Sequence, residues 1–190
     1  MLTQEQNVRF THVGPGTPGG ELMRRYWHPV AAGVDLNPKT PTKLVRLLGE
    51  DFALFRTLEG ELGLLAPRCA HRSTSLVQGI PEPNGIRCAY HGWVYGLDGA
   101  CVDMPNEPEE NRFHGKVKIK SYPTREAGSC VWAYMGPKDL EPKEIPHLEW
   151  ARLPDSHVQV TKRLQENNWA QATEGGMDSS HISYLHNTDL

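Results

Sequence analysis

Two short segments of the chain each pair a cysteine with a histidine: Cys69-Ala70-His71-Arg72 and Cys88-Ala89-Tyr90-His91-Gly92-Trp93. Each segment begins where a stretch typical of a β-strand ends, and a tight loop there places both side chains of a pair on one side. Two such loops at one end of a sheet can hold a single centre. Thiolate and imidazole ligands together suit either zinc or an iron–sulfur cluster.

The mixing of ligand types distinguishes these two metals. Zinc fingers usually pair cysteine with cysteine and histidine with histidine, at wider spacing than Cys69-x-His71. In a Rieske 2Fe–2S cluster, two histidines replace two cysteines on one of the irons. The sequence therefore predicts a Rieske cluster held by Cys69, His71, Cys88 and His91. A structural zinc site, or core cysteines beside surface histidines, are the alternatives.

Residues beside the two pairs carry further expectations. Gly92 is expected to let the backbone come close to the cluster, because it has no Cβ. Trp93 is either a hydrogen-bond donor to the ligands' surroundings or a core residue, and Arg72 either shields the cluster or is solvated. The remaining cysteines, Cys101 and Cys130, are expected to be small buried residues rather than disulfide partners.

Composition excludes several classes of protein. The chain has 190 residues, of which 38% are hydrophobic, so it can bury a core. Its 20 basic and 23 acidic residues are well mixed, and no basic stripe suggests nucleic acid. No apolar run approaches the ~20 residues of a membrane span, and the N-terminus has no apolar secretory signal. We expect a soluble cytoplasmic protein without a nucleic-acid or membrane partner.

The middle of the chain predicts a mainly β fold. Short alternating stretches are separated by turn residues about every ten positions, which is typical of a small antiparallel β-sandwich or barrel. Leu97-Asp98-Gly99 predicts a hairpin turn, and a short helix is expected at Glu21–Tyr26. The strand candidates are Lys43–Leu48, Asp51–Thr57, Glu61–Ala66, Ile86–Ala89, Trp93–Tyr95, Ala100–Val102, Val117–Lys120 and Cys130–Tyr134.

Changes in composition divide the chain into four parts. Residues 1–37 are an entry segment expected to pack on the domain of residues 38–136, which holds the cysteine–histidine pairs. Residues 137–155 are rich in proline and predict a surface linker. Residues 156–190 predict the beginning of an α+β domain. In that part, Val158–Leu164 alternates like a strand, and a helix is expected from about Asn168 to His186.

A second group of possible ligands lies in this last part: Asp178, His181 and His186. Two histidines and one carboxylate, with open positions left over, bind iron in non-haem Fe(II) oxygenases. Alone, a pair of histidines at this spacing is more often two polar surface residues, and the upstream cysteine–histidine pairs reverse that preference. They are five residues apart, which spreads them by about 140° on a straight helix. Both can reach one iron only if the helix ends or bends between them.

The two cysteine–histidine segments resemble the Rieske motif of aromatic-ring-hydroxylating oxygenases. Respiratory Rieske proteins carry an additional disulfide between the loops, but here Thr74 occupies that position, so the oxygenase branch fits better. The stretch from Asn168 to His181 is similar to the family's iron-binding helix. The N-terminal segments Val13–Pro18 and Arg24–Pro29 resemble those of the phthalate 4,5-dioxygenase group, which includes aryl-ether-demethylating relatives.

This resemblance implies roles for the second group. His181 and His186 would bind a mononuclear Fe(II), and Asp178 would bridge to the Rieske histidine of a neighbouring subunit in a homotrimer. Glu174 has no ligand role in the motif. The family's third iron ligand, an Asp, lies far downstream; Asp189 is too close to His186 to serve. The chain is therefore expected to be the N-terminal portion of a longer oxygenase subunit.

The resemblance also implies an activity. Electrons from NADH would pass through a separate flavin and iron–sulfur reductase to the cluster and then to the mononuclear iron. There O₂ would be used to hydroxylate or O-demethylate an aromatic substrate, with an aromatic carboxylate expected. The alternatives are a Rieske ferredoxin, which carries electrons without a second metal site, and a zinc-stabilised binding module.

Overall fold

The computed structural model describes residues 2–187, which form eleven β-strands and four α-helices. The α-helices are α1 (Gln4–Thr11), α2 (Pro18–Met23), α3 (Trp169–Met177) and α4 (Ile182–Leu185). The strands are β1 (Trp27–Ala32), β2 (Thr42–Leu47), β3 (Glu50–Arg56), β4 (Leu62–Leu65), β5 (Ile80–Glu82), β6 (Gly85–Arg87), β7 (Val94–Gly96), β8 (Cys101–Asp103), β9 (Ser121–Tyr122), β10 (Thr124–Ala127) and β11 (Cys130–Tyr134). Short 3-10 helices cover Gly33–Asp35, Leu76–Gln78, Glu109–Asn111, His114–Lys116, Lys138–Leu140, Glu149–Arg152 and Asp155–His157.

The strands form three antiparallel sheets. Their orders are β1-β11-β10, β2-β3-β4-β9 and β5-β6-β7-β8. The third sheet is built from consecutive hairpins, and one of its turns is the predicted Leu97-Asp98-Gly99. The prediction of a mainly β, antiparallel fold is confirmed.

Strand β3 lies in the middle of three layers. Successive side chains of a strand point to opposite faces of its sheet. Phe52 and Leu54 pack into a core shared with β1 and β11. Ala53 and Phe55 pack on the other face, into a core shared with the β5–β8 sheet. This two-sided burial explains why Phe52–Phe55 is continuously apolar instead of alternating with polar residues.

The N-terminal segment packs on this framework through a buried ion pair. Arg24, which follows α2, is 5% exposed, and its Nη1 lies 2.8 Å from Glu50 Oε1 at the start of β3. Helix α1, which the sequence did not predict, begins with a capping box between Thr3 and Gln6. Each described helix of residues 2–187 is too short or too polar to cross a lipid bilayer.

Two predicted strands were wrong. Val117–Lys120 forms only an isolated bridge, between Ala100 and Lys118, and the strand begins instead at Ser121. The other backbone hydrogen bonds of Val117–Lys120 go to separate parts of the chain, namely Ala66, Gly99, Cys101 and His114. Val158–Leu164 is not a strand in the described part of the chain, where it has no ladder partner. Strands β5 and β10 were not predicted.

The predicted helix from Asn168 to His186 is interrupted. Helix α3 ends at Met177, and α4 begins only at Ile182. Asp178 takes an extended backbone conformation, and its Oδ1 accepts hydrogen bonds from the N–H and hydroxyl of Ser180 at 2.8 and 2.6 Å. Such local bonding offers the backbone an alternative to the helix. This interruption precedes His181, and the helix also ends at Leu185, between His181 and His186, as the spacing had predicted.

Candidate metal centre

The first cysteine–histidine loop is closed by two backbone hydrogen bonds. Cys69 N–H donates to Thr74 O, and Ser73 N–H donates to Cys69 O, both at 2.9 Å. Ser73 has a left-handed φ of 55°, which costs a residue with a Cβ roughly 1–2 kcal/mol. The loop thus holds His71 in a tight turn directly beside Cys69.

The second loop repeats this construction. Cys88 N–H donates to Trp93 O at 2.8 Å, and Gly92 N–H donates to Cys88 O at 3.0 Å. The partners stand four and five residues after the cysteine, as they do in the first loop. Gly92 has the left-handed φ, 79°, and a Cβ there would lie 2.8 Å from Pro105 Cγ. Gly92 is therefore required for space as well as for backbone conformation.

The two loops bring their thiols together in the core. Cys69 and Cys88 are each 2% exposed. Burial raises the pKa of the Cys88 thiol, and its contact with Cys69 raises that pKa further. The backbone N–H groups of Tyr90 and His91 donate to the Cys88 sulfur and oppose this shift, because they stabilise the thiolate. The sulfur pair is thus buried and already supplied with hydrogen-bond donors.

The two imidazoles meet on the outer side of the loops. The ring centroids of His71 and His91 are 4.6 Å apart. Burial lowers the pKa of His91, and the nearby His71 and Arg72 lower it further. His71 Nδ1 is buried and has no hydrogen-bond partner among residues 2–187. A buried nitrogen without a partner is costly, and a metal bond would satisfy it.

This arrangement fits a two-metal cluster better than a single ion. Zinc gathers four ligands around one point, at roughly 2.0–2.3 Å each. Within residues 2–187, no three His, Cys, Asp or Glu side chains converge on one ion position. Instead, the Cys69 and Cys88 thiols contact each other, and the rings of His71 and His91 lie together. A Rieske cluster requires the two thiols to be separate from the two imidazoles, because the cysteines bind one iron and the histidines bind the other.

Trp93 combines the two roles that the sequence left open. It is 4% exposed and packs in the core. Its ring stacks on His71, with centroids 4.7 Å apart and planes 6° from parallel. Its Nε1–H donates to Asn106 Oδ1 at 2.8 Å. Trp93 therefore fixes the plane of one predicted ligand, while the side chain of Arg72 is exposed.

Two residues that support the loops were not predicted. Arg87 Nη1 donates to Gly92 O at 2.9 Å, and the pKa of Arg87 is raised mainly by its hydrogen bond to Glu82. Tyr95 Oη lies 3.3 Å from Cys69 Sγ, and burial followed by this hydrogen bond raises the pKa of Tyr95. The spacing of Trp93, directly before β7, and Tyr95 within it was the available signal, since residues two apart on a strand point to the same face.

The other two cysteines are buried, as expected. Cys101 and Cys130 are 2% and 4% exposed and carry free thiols. Burial raises the pKa of Cys101 to about 11. Its Sγ donates to Asp103 O at 3.4 Å. These thiols lie in the core and are protonated at neutral pH.

The second group of predicted ligands lies near the end of the described chain, where Asp178 and His186 are exposed and His181 is half-buried. The rings of His181 and His186 are 5.3 Å apart. Asp178 Oδ2 lies 3.4 Å from His181 Nδ1, and the hydrogen bonds from Ser180, followed by His181, lower the pKa of Asp178. The backbone carbonyl of Glu174 accepts the Asp178 N–H at 2.9 Å. Asp189 lies outside the described residues.

Two known protein families match separate parts of the chain. The Rieske [2Fe-2S] domain family matches residues 26–123. The "LigXa C-terminal domain like" family matches residues 133–190. The second match covers the segment that contains Asp178, His181 and His186. It therefore favours an oxygenase subunit over a carrier that consists of a Rieske domain alone.

Curated relatives and solved structures agree with these matches. The chain is 42% identical over 189 residues to the 5,5′-dehydrodivanillate O-demethylase oxygenase subunit of Sphingobium sp. (strain NBRC 103272 / SYK-6), covering 98% of this chain and 44% of the relative. It is 43% identical over 191 residues to the phthalate 4,5-dioxygenase oxygenase subunit of Pseudomonas putida, covering 100% and 43%. The structure of NdmA from Pseudomonas putida CBB5 superposes with a TM-score of 0.71 at 27% identity, covering 90% and 52%.

The chain thus spans less than half the length of these two curated relatives. The match to the Rieske domain nevertheless covers both cysteine–histidine loops and more than half of the chain. From these matches and the paired geometry of the loops, we conclude that the chain belongs to the Rieske [2Fe-2S] domain family and is similar over its length to the N-terminal part of oxygenase subunits.

Proposed function

We propose that this chain is the Rieske-bearing part of a terminal oxygenase subunit. The enzyme would take electrons that originate from NADH and use O₂ to hydroxylate or O-demethylate an aromatic substrate. The observation that carries the proposal is the pairing of two buried thiols and of two imidazoles in loops of the same construction. Relatives named as oxygenase subunits of a demethylase and a dioxygenase support the reaction class.

In this proposal, Cys69 and Cys88 hold one iron of the 2Fe–2S cluster, and His71 and His91 hold the other. When bound, the cluster accepts and passes on one electron at a time. His71 would bind through Nδ1, its buried nitrogen without a partner among residues 2–187. Trp93 would keep that ring from rotating, because the two planes are stacked.

His181 and His186 would hold the mononuclear Fe(II), whose chemistry is the activation of O₂. Asp178 would orient His181 by accepting a hydrogen bond at Nδ1, which leaves Nε2 for the metal. On its other side, Asp178 would connect to His91 of the adjacent subunit in a homotrimer. The third iron ligand is expected from outside the described residues.

The proposed organisation follows the four parts of the sequence. Residues 1–37 would support the Rieske domain of residues 38–136, an arrangement that the Arg24–Glu50 ion pair favours. Residues 137–155 would link it to the start of the catalytic domain at residues 156–190. The electron donor would be a separate reductase with flavin and an iron–sulfur centre. The cytoplasm, which supplies NADH, would be the compartment.

An aromatic carboxylate is the proposed substrate class. The phthalate 4,5-dioxygenase relative is named for such a compound. The demethylase relative acts, by its name, on an aryl ether that also carries carboxylates. Turnover of a panel of benzoates, phthalates and methoxybenzoates by the full-length enzyme with its reductase would test this class. Turnover limited to uncharged arenes would contradict it.

The cluster is tested most directly by anaerobic reconstitution. We expect a brown protein with two irons and two sulfides per Rieske domain, and an electron paramagnetic resonance signal after reduction. Cys69→Ser should abolish the colour, whereas Cys101→Ser, which changes a buried thiol that is not a predicted ligand, should keep it. A colourless protein that binds zinc, or colour lost only in Cys101→Ser, would refute the assignment.

Iron content then distinguishes an oxygenase from an electron carrier. In the full-length enzyme, we expect a third iron that is lost in His181→Ala and His186→Ala while the Rieske signal persists. His147, a histidine on the surface linker that is not a predicted ligand, provides the matched control. His147→Ala should retain all three irons. Only two irons in the wild-type enzyme would support the ferredoxin alternative.

A further inference from the structure

An arginine stands directly before the cysteine of each ligand loop. Arg68 Nη1 donates to Ser73 O at 3.2 Å, and Arg87 Nη1 donates to Gly92 O at 2.9 Å. Ser73 and Gly92 are the residues with the left-handed φ, and each stands four positions after the cysteine of its loop. The repeated construction of the two loops therefore includes a charged side chain that binds the carbonyl of the left-handed residue.

The two arginines differ in their surroundings. Arg68 is exposed, and among residues 2–187 it forms no ion pair. Arg87 is half-buried at the end of β6, and its guanidinium contacts carboxylates on two other strands of the same sheet. Its Nε donates to Glu82 Oε1 in β5, and its Nη1 lies 3.5 Å from Asp103 Oδ2 in β8. Arg87 thus binds the second loop to the β5–β8 sheet, whereas the Arg68 guanidinium contacts its own loop.

The carbonyl that Arg87 binds lies between two residues that determine where the histidines lie. Gly92 directly follows His91 and directly precedes Trp93. The Trp93 ring stacks on His71 of the opposite loop, with planes 6° from parallel. A shift of the Gly92 carbonyl would therefore move His91 and also the ring on which His71 packs.

We propose that Arg87 is a positioning residue for both histidines of the cluster. It holds His91 through the Gly92 carbonyl, and it holds His71 through Trp93. The inference rests on the proposed role of these histidines as ligands of one iron. A guanidinium that binds carboxylates and a carbonyl through several donors at once fixes the loop in one geometry. Without it, the Gly92 carbonyl would bond to water, and the two rings would vary in orientation at the iron.

The test measures the orientation of the histidines in the cluster-loaded chain. In the reduced protein, pulsed electron paramagnetic resonance records the coupling of each ligating nitrogen to the unpaired electron, and this coupling depends on the orientation of the ring. In Arg87→Gln we expect altered couplings from both histidines. We also expect about tenfold faster loss of the cluster to a chelator, because a charge-assisted hydrogen bond is lost.

Arg68→Gln is the matched control. It removes the equivalent hydrogen bond of the first loop, at an exposed site where water can replace the guanidinium. Its couplings should equal those of the wild type, and its rate of cluster loss should stay within about twofold, because exposed charged contacts contribute little.

Arg87→Lys separates the geometry of the guanidinium from its charge, and it supplies the measurement if Arg87→Gln binds no cluster. A lysine keeps a cation beside Glu82 but lacks the planar fork that binds Glu82 and the Gly92 carbonyl together. Its couplings should change in the same direction as those of Arg87→Gln, by a smaller amount. Wild-type couplings in either Arg87 variant, or equal changes in Arg87→Gln and Arg68→Gln, would overturn the inference alone, even where the melting temperature falls. A wild-type chain that binds no 2Fe–2S cluster would overturn the proposed function and this inference together.

Discussion

Substitution of Gly92 by alanine should destabilise the second ligand loop. Two terms contribute to this destabilisation. The left-handed φ of 79° costs an alanine roughly 1–2 kcal/mol. The new Cβ would also lie 2.8 Å from Pro105 Cγ, and overpacking of this kind costs roughly 1–3 kcal/mol. The sum is about 2–5 kcal/mol.

The repeated construction of the loops supplies the control for this prediction. Ser73 holds the position of Gly92 in the first loop, with a φ of 55°. Ser73→Gly relieves backbone strain but adds freedom to the unfolded chain, so we expect a change within about 1 kcal/mol. A left-handed backbone alone therefore does not explain the requirement for Gly92; contact with Pro105 must contribute.

Thermal unfolding of the cluster-loaded protein, with the rate of loss of its visible absorption, measures both variants. At roughly 2–4 °C per kcal/mol for a domain of this size, Gly92→Ala should unfold about 4–20 °C lower than the wild type. Adding Pro105→Ala to Gly92→Ala should recover part of the loss, beyond the sum of the two single effects. If Gly92→Ala is as stable as the wild type, or if Pro105→Ala gives no recovery, the packing argument is refuted.

Three further predictions concern separate parts of the chain. The pKa of Cys101 is raised from 9.0 to about 11, so its thiol favours the folded state up to about pH 9, and this contribution should be lost as the pH rises to about 11. In melting curves, Cys101→Ala should therefore be destabilised less than the wild type at alkaline pH. Equal pH dependence of the two proteins would contradict the reasoning. In the full-length enzyme, Asp178→Asn should retain both metals and the trimer but slow single-turnover oxidation of the reduced cluster, and a wild-type rate would exclude the bridge. Phe10→Ala should release α3, because the Phe10 and Trp169 rings lie 5.0 Å apart; hydrogen exchange should rise over residues 169–177 and not in β3, and unchanged protection of α3 would show that α1 does not hold it.

The sequence was sufficient for the features that depend on residue type and local spacing. Each mixed cysteine–histidine pair lies within a few residues of chain, so its ligand chemistry could be recognised without knowledge of the fold. The strands around Phe52, Leu64 and Val131 were predicted because their hydrophobic runs are bounded by turn residues. Helix α1 was missed, although its Thr3–Gln6 capping box was visible, because its exposed residues provide no apolar stripe.

Features that depend on distant contacts could not be predicted. The hydrogen bond of Tyr95 to Cys69 joins residues 26 positions apart and exists only after β7 has packed beside the first loop. The repeated backbone hydrogen bonds of the loops are likewise hidden, because Ser73 and Gly92 share a conformation without sharing a residue type. The end of α3 at Met177 reflects competition from the side chain of Asp178, which periodicity does not reveal.

The pairing of β1 with β11 has a consequence for the order of folding. The Cys130 and Ala31 contact in this sheet joins residues separated by 99 positions, whereas the β5–β8 sheet consists of consecutive hairpins. Closing a long loop costs more chain entropy than forming adjacent hairpins. The sheet that carries the second ligand loop should therefore assemble first, and the β1–β11 pairing should close the domain last. During synthesis, both ligand loops leave the ribosome before β11 does, so iron and sulfide can reach the loops while the domain is still open.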